Sequence, residues 1–424
     1  MNQQPPANQA ATCMDARDPN ALSVEQACQS ILDRVKPVSG ERRVAIREGL
    51  GRILARPVIS SMQVPGHTNS AVDGFAINAD ALKDDGTAGD FEVIGTAMAG
   101  TPCNEQVTGR NCIRIMTGAV MPAGADTVIM REHCEEMASD SVRVNGSHKR
   151  GQNVRHAGED IAIGDTVFAP GHMIKAADLG VMASLGVAEL WVHRRPRVAF
   201  FSTGDELRGV GETLAEGEIY DSNRYSLWGM LSRLGVECVD LGVIRDQPDA
   251  LRAALLEAAA EADAVITSGG VSVGDADYIK PVLDSLGQMD FWKIAMKPGR
   301  PLTFGQIEEA LFFGLPGNPV AVTVTFYQFV LPALQALAGR KGYAPLMAPA
   351  RVSRALRKKP GRTEYLRAVY HQENSQLHVD TTGAQGSGIL TSMSRANCFI
   401  VLDQEQGDVA EGDTVLIQPF DALV

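Results

Sequence analysis

From Arg197 onward, short apolar runs alternate with longer amphipathic stretches. Residues 198–202, 236–243, 265–267 and 311–314 are strand-like apolar runs. Residues 222–234, 248–262 and 278–286 carry helical spacing between them. Asn318 and Pro319 then supply an N-cap and a first-turn proline for a helix over 320–338. Strand and helix alternate at crossover lengths, which predicts an open, doubly wound parallel sheet with helices on both faces. In such a sheet the binding crevice lies beyond the carboxyl ends of the strands.

The flanks read differently. Ser23 and Gln26 form a capping box, and Ala27, Ile31, Leu32 and Val35 continue at helical spacing, with an end near Lys36 before Pro37. Between 57 and 145, short β-rich runs at 91–94, 112–116, 127–130 and 141–144 alternate with Gly and Pro turns. Residues 151–195 are apolar stretches broken by glycines, with a helix expected over 176–185. Beyond Gly342 the chain is strand-like, with almost no helical periodicity. The expected domains are a disordered tail (1–20), a mixed region in two segments (21–60 and 146–195), a small β-rich domain between them (61–145), an α/β domain (196–341) and a C-terminal β domain (342–424).

Composition narrows the function classes. The chain has 424 residues, 45% of them hydrophobic, as in ordinary globular proteins. Lys and Arg total 39 against 51 Asp and Glu, a net charge of -12. That balance argues against a nucleic-acid surface or an anionic-membrane binder. No run approaches the ~18 consecutive apolar residues of a membrane span. Seven cysteines, none in a CxxC spacing, fit a reducing, cytoplasmic compartment. Eight scattered histidines form no zinc motif.

Candidate chemistry collects at the predicted strand ends. The 268–278 stretch, SGGVSVGDADY, follows the 265–267 strand. A strand ending in Gly-Gly lets backbone N–H groups approach an anion closely. Asp275 and Asp277 follow at once, and acids beside an anion cradle call for a divalent cation such as Mg²⁺. A Gly-rich surface turn is the alternative. Glu206, Asp246, Asp275 and Asp277 all fall in or next to strand-end loops, so they read as a metal-binding set or, singly, as helix caps. Lys293, Lys297 and Arg300 lie in WKIAMKPGRP, where Phe291, Trp292, Ile294 and Met296 suggest one half-buried strand with both lysines on one side. Such a cluster suits a small oxyanion, or is a solvated face. Asp73, before Gly74, is a turn signal, and Thr117-Gly118 follows a strand. No Ser-His-Asp or Cys-His arrangement and no Walker A sequence is present.

Together these pieces resemble the MoeA family, the molybdopterin molybdenumtransferases, which includes the E domain of gephyrin. The resemblance runs from about residue 21 to the C-terminus. It rests on AVDGFA (71–76), RIMTGAVMPAGADTVI (114–129), FSTGDEL (201–207), SGGVSVGDADY (268–278), KPGRP (297–301) and LPGNPVA (315–321), in the family's order. The SGG motif alone is shared with molybdopterin adenylyltransferases, so adenylylation is one alternative activity. A non-catalytic molybdopterin-binding scaffold is the other.

The resemblance implies a multidomain α/β plus β fold: a molybdopterin-binding α/β domain, a small β-rich domain, an elongated mixed domain and a barrel-like C-terminal domain. It implies insertion of molybdate into adenylylated molybdopterin with release of AMP, assisted by Mg²⁺. It also implies a homodimer whose active site is shared between subunits, supplied by the adenylyltransferase and serving acceptor molybdoenzymes. By the same resemblance, Glu206, Asp246 and Asp277 are metal or phosphate-site acids. Ser268, Gly269, Gly270 and Ser272 hold the pterin-phosphate side, and Lys293, Lys297 and Arg300 hold anionic groups. Asp73 and Thr117 contribute across the dimer, and Arg367 and Ser392 line the molybdate pocket. Arg300 stands where the family often has lysine, and Phe75 where tyrosine is common.

Overall fold

The computed structural model describes residue 18 and residues 20–138, 140–269 and 279–420. Gly270, Ser272, Asp275 and Asp277 therefore lie outside the described residues, as does the 1–17 segment. The chain divides into two compact units, one spanning Arg43–Val192 and the other formed by residues up to Arg42 with those from His193 on.

Helix α1 (Val24–Leu32) starts at the expected capping box: Gln26 N–H donates to Ser23 Oγ, and Ser23 N–H to Gln26 Oε1. Its apolar stripe, Val24, Ala27 and Ile31, is buried in the core of the second unit. Residues 21–42 thus group with the α/β unit, whereas the sequence grouped 21–60 with 146–195.

The 43–192 unit holds a six-stranded sheet. Its strands are β1 (Gly74–Ile77), β2 (Gly89–Ala97), β3 (Asn111–Ile115), β4 (Thr127–Met130), β5 (Cys134–Ala138) and β6 (Ser141–Val144), in the order β4-β1-β3-β2-β6-β5. Phe75 and Ile77 pack on one face and Ala76 on the other, the strand periodicity of two. A Cβ at Gly74 would lie 1.9 Å from Ile129 O, so only glycine lets β1 sit against β4. Helix α2 (Ala176–Ser184) buries Met182 in a separate core with Leu54, Ile174 and Leu190.

The second unit is built on β7 (Arg197–Thr203), α3 (Ser222–Leu234), β8 (Glu237–Ile244), α4 (Pro248–Glu261), β9 (Ala264–Ser268) and α5 (Ile279–Leu286). Then follow β10 (Gly287–Lys293), β11 (Met296–Lys297), β12 (Pro301–Ile307), β13 (Ala310–Leu315), α6 (Pro319–Thr325) and α7 (Leu331–Leu337). The sheet order is β8-β7-β9-β13-β12-β10. β8, β7, β9 and β13 run parallel, as expected. β12 and β10 run antiparallel, so the sheet is mixed rather than all parallel. Between β10 and β13 the connections are too short for crossover helices, and only hairpins fit.

Alternation on the central strands splits the core in two. Val198, Phe200, Ile266 and Phe313 face α1, α3, α6 and α7. Ala199, Phe201, Val265 and Phe312 face α4 and α5. At the amino ends of β7 and β9, Arg194 grips Asp263 bidentately at 2.7 and 2.6 Å, and Arg197 N–H adds a third bond to that carboxylate at 2.8 Å.

The expected 320–338 helix is one stretch with a π turn at Phe326–Val330 between α6 and α7. Pro332 has no N–H for the preceding turn and its ring crowds the carbonyl four residues back, so the helix widens there. By length and composition, Pro319–Leu337 could cross a membrane, but 72% of its most apolar stretch is buried, marking it as the core helix of this unit.

The C-terminal strands are β14 (Ala348–Val352), β15 (Thr363–Glu373), β16 (Gln376–Thr381), β17 (Cys398–Leu402) and β18 (Thr414–Pro419). They pair in the order β15-β16-β14-β18-β17, and β15 pairs again with β17, closing a five-stranded barrel. A short helix, α8 (Leu390–Arg395), precedes β17 where the sequence suggested no helix.

Candidate active site

The strand order reverses between β7 and β9, which places the topological switch point at their carboxyl ends. Ser202 and Ser268 are register partners there. Asp221, the N-cap of α3, is 1% exposed. It accepts from Ser202 Oγ at 2.9 Å, and from Arg224 N and Nε, each at 3.2 Å. Ser202 has one hydroxyl proton, and Asp221 takes it. The 2.9 Å contact between the two serines therefore has Ser268 as donor. Ser268 is also 1% exposed, so its hydroxyl locks the strand ends together rather than presenting a donor to a ligand.

Gly269 follows Ser268 at the carboxyl end of β9. Gly269 has φ +93°, and a Cβ there would lie 2.4 Å from Thr203 O. Its N–H donates to Leu315 O at 3.2 Å. Asn223 Nδ2 donates to Gly317 O at 2.8 Å, tying the start of α3 to the loop after β13. Asp221 and Asn223 were not singled out from sequence. The signal that marks Asp221 is an aspartate directly before a predicted helix.

The acids gather at the same strand ends. Thr203 Oγ1 donates to Asp246 Oδ1, and Asp246 N–H to Asp205 Oδ1 at 3.4 Å. Asp246 is not a helix cap: Gln247 holds that position and makes no side-chain capping bond. The exposed Glu206 folds back over Gly204, whose Cβ would meet Glu206 Oε2 at 2.6 Å. Asp277 lies outside the described residues. Among the described residues no group of three or more carboxylate, thiol or imidazole side chains is set to hold a metal. Glu206 and Asp246 are hard oxygen donors, a chemistry that fits Mg²⁺.

The cations depart from the sequence reading. Lys293 ends β10 in the α/β sheet, whereas Lys297 lies in β11, which pairs with β15 of the barrel. They do not share one strand, because at Ile294 and Ala295 the backbone turns to bond Arg300 O and Leu22 O instead. Each cation has an acid partner. Arg300 Nη2 lies 2.9 Å and Lys293 Nζ 3.8 Å from Asp18 Oδ2, and Lys297 Nζ lies 3.4 Å from Glu364 Oε1.

Arg367 is the exception. It is 1% exposed, and no ion pair among the described residues involves it. Its Nε donates to Ser392 Oγ at 3.1 Å and its Nη2 to Gly386 O at 3.0 Å, both neutral acceptors. Burial pulls the guanidinium pKa below its ordinary value. β15 supplies Arg367 and α8 supplies Ser392, so the two residues matched by resemblance are brought together. A buried cation without a counter-ion is a ready site for an oxyanion.

In the 43–192 unit, Asp73 and Thr117 also meet. Asp73 Oδ1 accepts from Thr117 N and Oγ1, both at 2.7 Å. These bonds, the backbone one first, hold the Asp73 carboxyl below the usual carboxylate range.

Comparison with known proteins covers nearly the whole chain. Models of the MoeA N-terminal region (domain I and II), a probable molybdopterin binding domain and the MoeA C-terminal region (domain IV) match residues 22–186, 199–336 and 349–420. The molybdopterin molybdenumtransferase of Haemophilus influenzae is 41% identical over 95% of this chain and 100% of its own length. Gephyrin of Dictyostelium discoideum is 33% identical over 93% of this chain and 62% of its own. The crystal structure of a molybdopterin biosynthesis moeA protein from Pyrococcus horikoshii superposes with a TM-score of 0.80 at 27% identity, covering 94% of this chain and 100% of that one. A barrel closed by β15 and β17, a switch point between β7 and β9 and a relative matched over its whole length all lead to one assignment: the chain belongs to the MoeA family, the molybdopterin molybdenumtransferases.

Proposed function

We propose that this protein inserts molybdate into adenylylated molybdopterin and releases AMP, the final step of molybdenum cofactor synthesis. The observation that carries the reading is Arg367, a buried guanidinium whose described partners are all neutral. A tetrahedral dianion such as molybdate supplies the missing charge to the Arg367 fork, while Ser392, which gives its own proton to Ile389 O and accepts from Arg367 Nε, holds that fork in place. Gly269, with Gly270 and Ser272 beyond it, holds the pterin-phosphate side, and Lys293, Lys297 and Arg300 hold phosphate oxygens. Glu206, Asp246 and Asp277 would hold Mg²⁺. That ion would neutralise charge as the phosphoanhydride breaks and AMP leaves.

The functional unit in this reading is a homodimer in which Asp73 and Thr117 complete the site of the other subunit. Tyr225 and Trp228, 50% and 53% exposed on α3, support self-association. A single-chain mass of 45.3 kDa by light scattering would overturn it. Its partners are the enzyme that adenylylates molybdopterin and the molybdoenzymes that receive the cofactor. Six free cysteines among the described residues support a cytoplasmic location.

The test is a single-turnover assay that follows AMP from adenylylated molybdopterin. Release that requires both molybdate and Mg²⁺ supports the transferase. Tight binding without release under any condition would replace it with a carrier.

A further inference from the structure

The segment before α1 is strapped onto the cation cluster. Asp18 Oδ1 accepts from Asn20 N–H at 3.1 Å, and Ala21 N–H returns to Asp18 O at 3.1 Å. Leu22 N–H donates to Lys293 O at 3.0 Å, and Ala295 N–H donates to Leu22 O at 2.8 Å. These bonds fix the Asp18 carboxylate, whose free oxygen points at Arg300 and Lys293.

The two acids that meet the cluster differ in kind. Glu364, 8% exposed at its side chain, belongs to barrel strand β15 and cannot leave without opening the barrel. Asp18 sits on a turn outside any strand or helix. Its two cations, 34% and 56% exposed at their side chains, are open to solvent. The charge count leaves one net positive charge on the trio, so an incoming anion is still attracted. Asn20 N–H, against opposing burial, and then the two cations hold the Asp18 carboxyl below its usual range.

We propose that Asp18 is an internal anion occupying the Lys293–Arg300 pair, which a substrate phosphate group must displace to bind there. The inference rests on the transferase reading, since that reading makes this pair a phosphate contact. Asp18 then sets affinity and selectivity together. A singly charged carboxylate is displaced by a more highly charged phosphate and resists weaker anions.

The test is calorimetric titration of the full chain with inorganic pyrophosphate. The variants are wild type, Asp18→Asn, Asp18→Glu, Arg300→Gln and the Asp18→Asn/Arg300→Gln pair. Asp18→Asn keeps the Asn20 turn and is expected to bind about three- to tenfold tighter, the range for one partly exposed charge contact. Asp18→Glu is expected to bind like wild type, and the gain from Asp18→Asn to shrink in the Arg300→Gln background. Equal affinity for wild type and Asp18→Asn, an undiminished gain without Arg300, or no binding by any variant overturns the proposal. Failure of the transferase reading shows elsewhere, as AMP release absent from wild type and Asp18→Asn alike, with the affinity ratio still measurable.

Discussion

Two arginines of the same unit, one partly buried and one fully buried, are met in opposite ways. Arg194, at the amino ends of β7 and β9, is answered by Asp263 with two short bonds, and its pKa is raised. Arg367, in the barrel wall, meets a hydroxyl and a carbonyl, and its pKa is lowered. The first arrangement is complete and serves the fold. The second carries a desolvation cost that the described residues leave uncompensated, and such costs persist where a ligand offsets them. Charge type is identical in the two places, so the presence or absence of a counter-ion is what separates them.

The largest expected effect breaks the comparison at Arg367. Arg367→Met should lower molybdate-dependent AMP release about 10²- to 10³-fold. The melting temperature should hold or rise, because an unpaired buried charge is gone. Turnover within a few-fold of wild type would show that Arg367 holds no anion. Arg194→Ala should do the reverse. It strands Asp263 and should cost about 2–3 kcal/mol in urea unfolding, below the fully buried range because both side chains keep some solvent contact. Turnover per folded molecule should not change.

Gly269→Ala tests the switch point at the carboxyl ends of β7 and β9. Its Cβ would press on Thr203 O, and φ +93° is strained for alanine, so about 1–3 kcal/mol of stability should go, together with substrate binding. The acid limb sharpens the contrast further. Burial raises the Asp263 pKa, but the Arg194 fork and Arg197 N–H outweigh it and leave the carboxyl below 3.8. A depressed carboxylate stabilises the fold above its unfolded pKa, and the stabilisation fades as pH falls through the folded value. Wild type should therefore lose more stability than Arg194→Ala between about pH 5 and pH 3, in paired unfolding titrations. Ser392→Ala is the mildest change. It removes one bond to Arg367 and should raise the molybdate KM about three- to tenfold with the fold intact.

Periodicity in the sequence located the strands and helices that alternate, because each must bury one face. It missed β12 and joined β10 to β11 through Ile294. Alternation of side chains cannot report that the backbone between Lys293 and Lys297 leaves one sheet for another. Capping chemistry behaved unevenly for a local reason. Ser23 caps α1 as expected, while Asn318 makes no side-chain bond at α6, and Asp246 gives its carboxylate to Thr203. At the site, the motifs named Ser268 and Gly269, but only geometry shows that Ser268 spends its proton on Ser202 and that Gly269 is required by Thr203 O. The partners of Lys293, Lys297 and Arg300 were invisible because Asp18 and Glu364 are remote in sequence from the cluster.

The ring closure between β15 and β17 governs how this end of the protein can be recognised. A strand offered by another chain needs an unpaired edge to extend, and these five strands pair around the ring. β15 accepts β11 as one added strand, and where the five strands pair with one another β-augmentation by another chain is closed. A protein docking on that part of the barrel would have to read side chains and loop shape, a surface free to diverge while the ring beneath stays fixed.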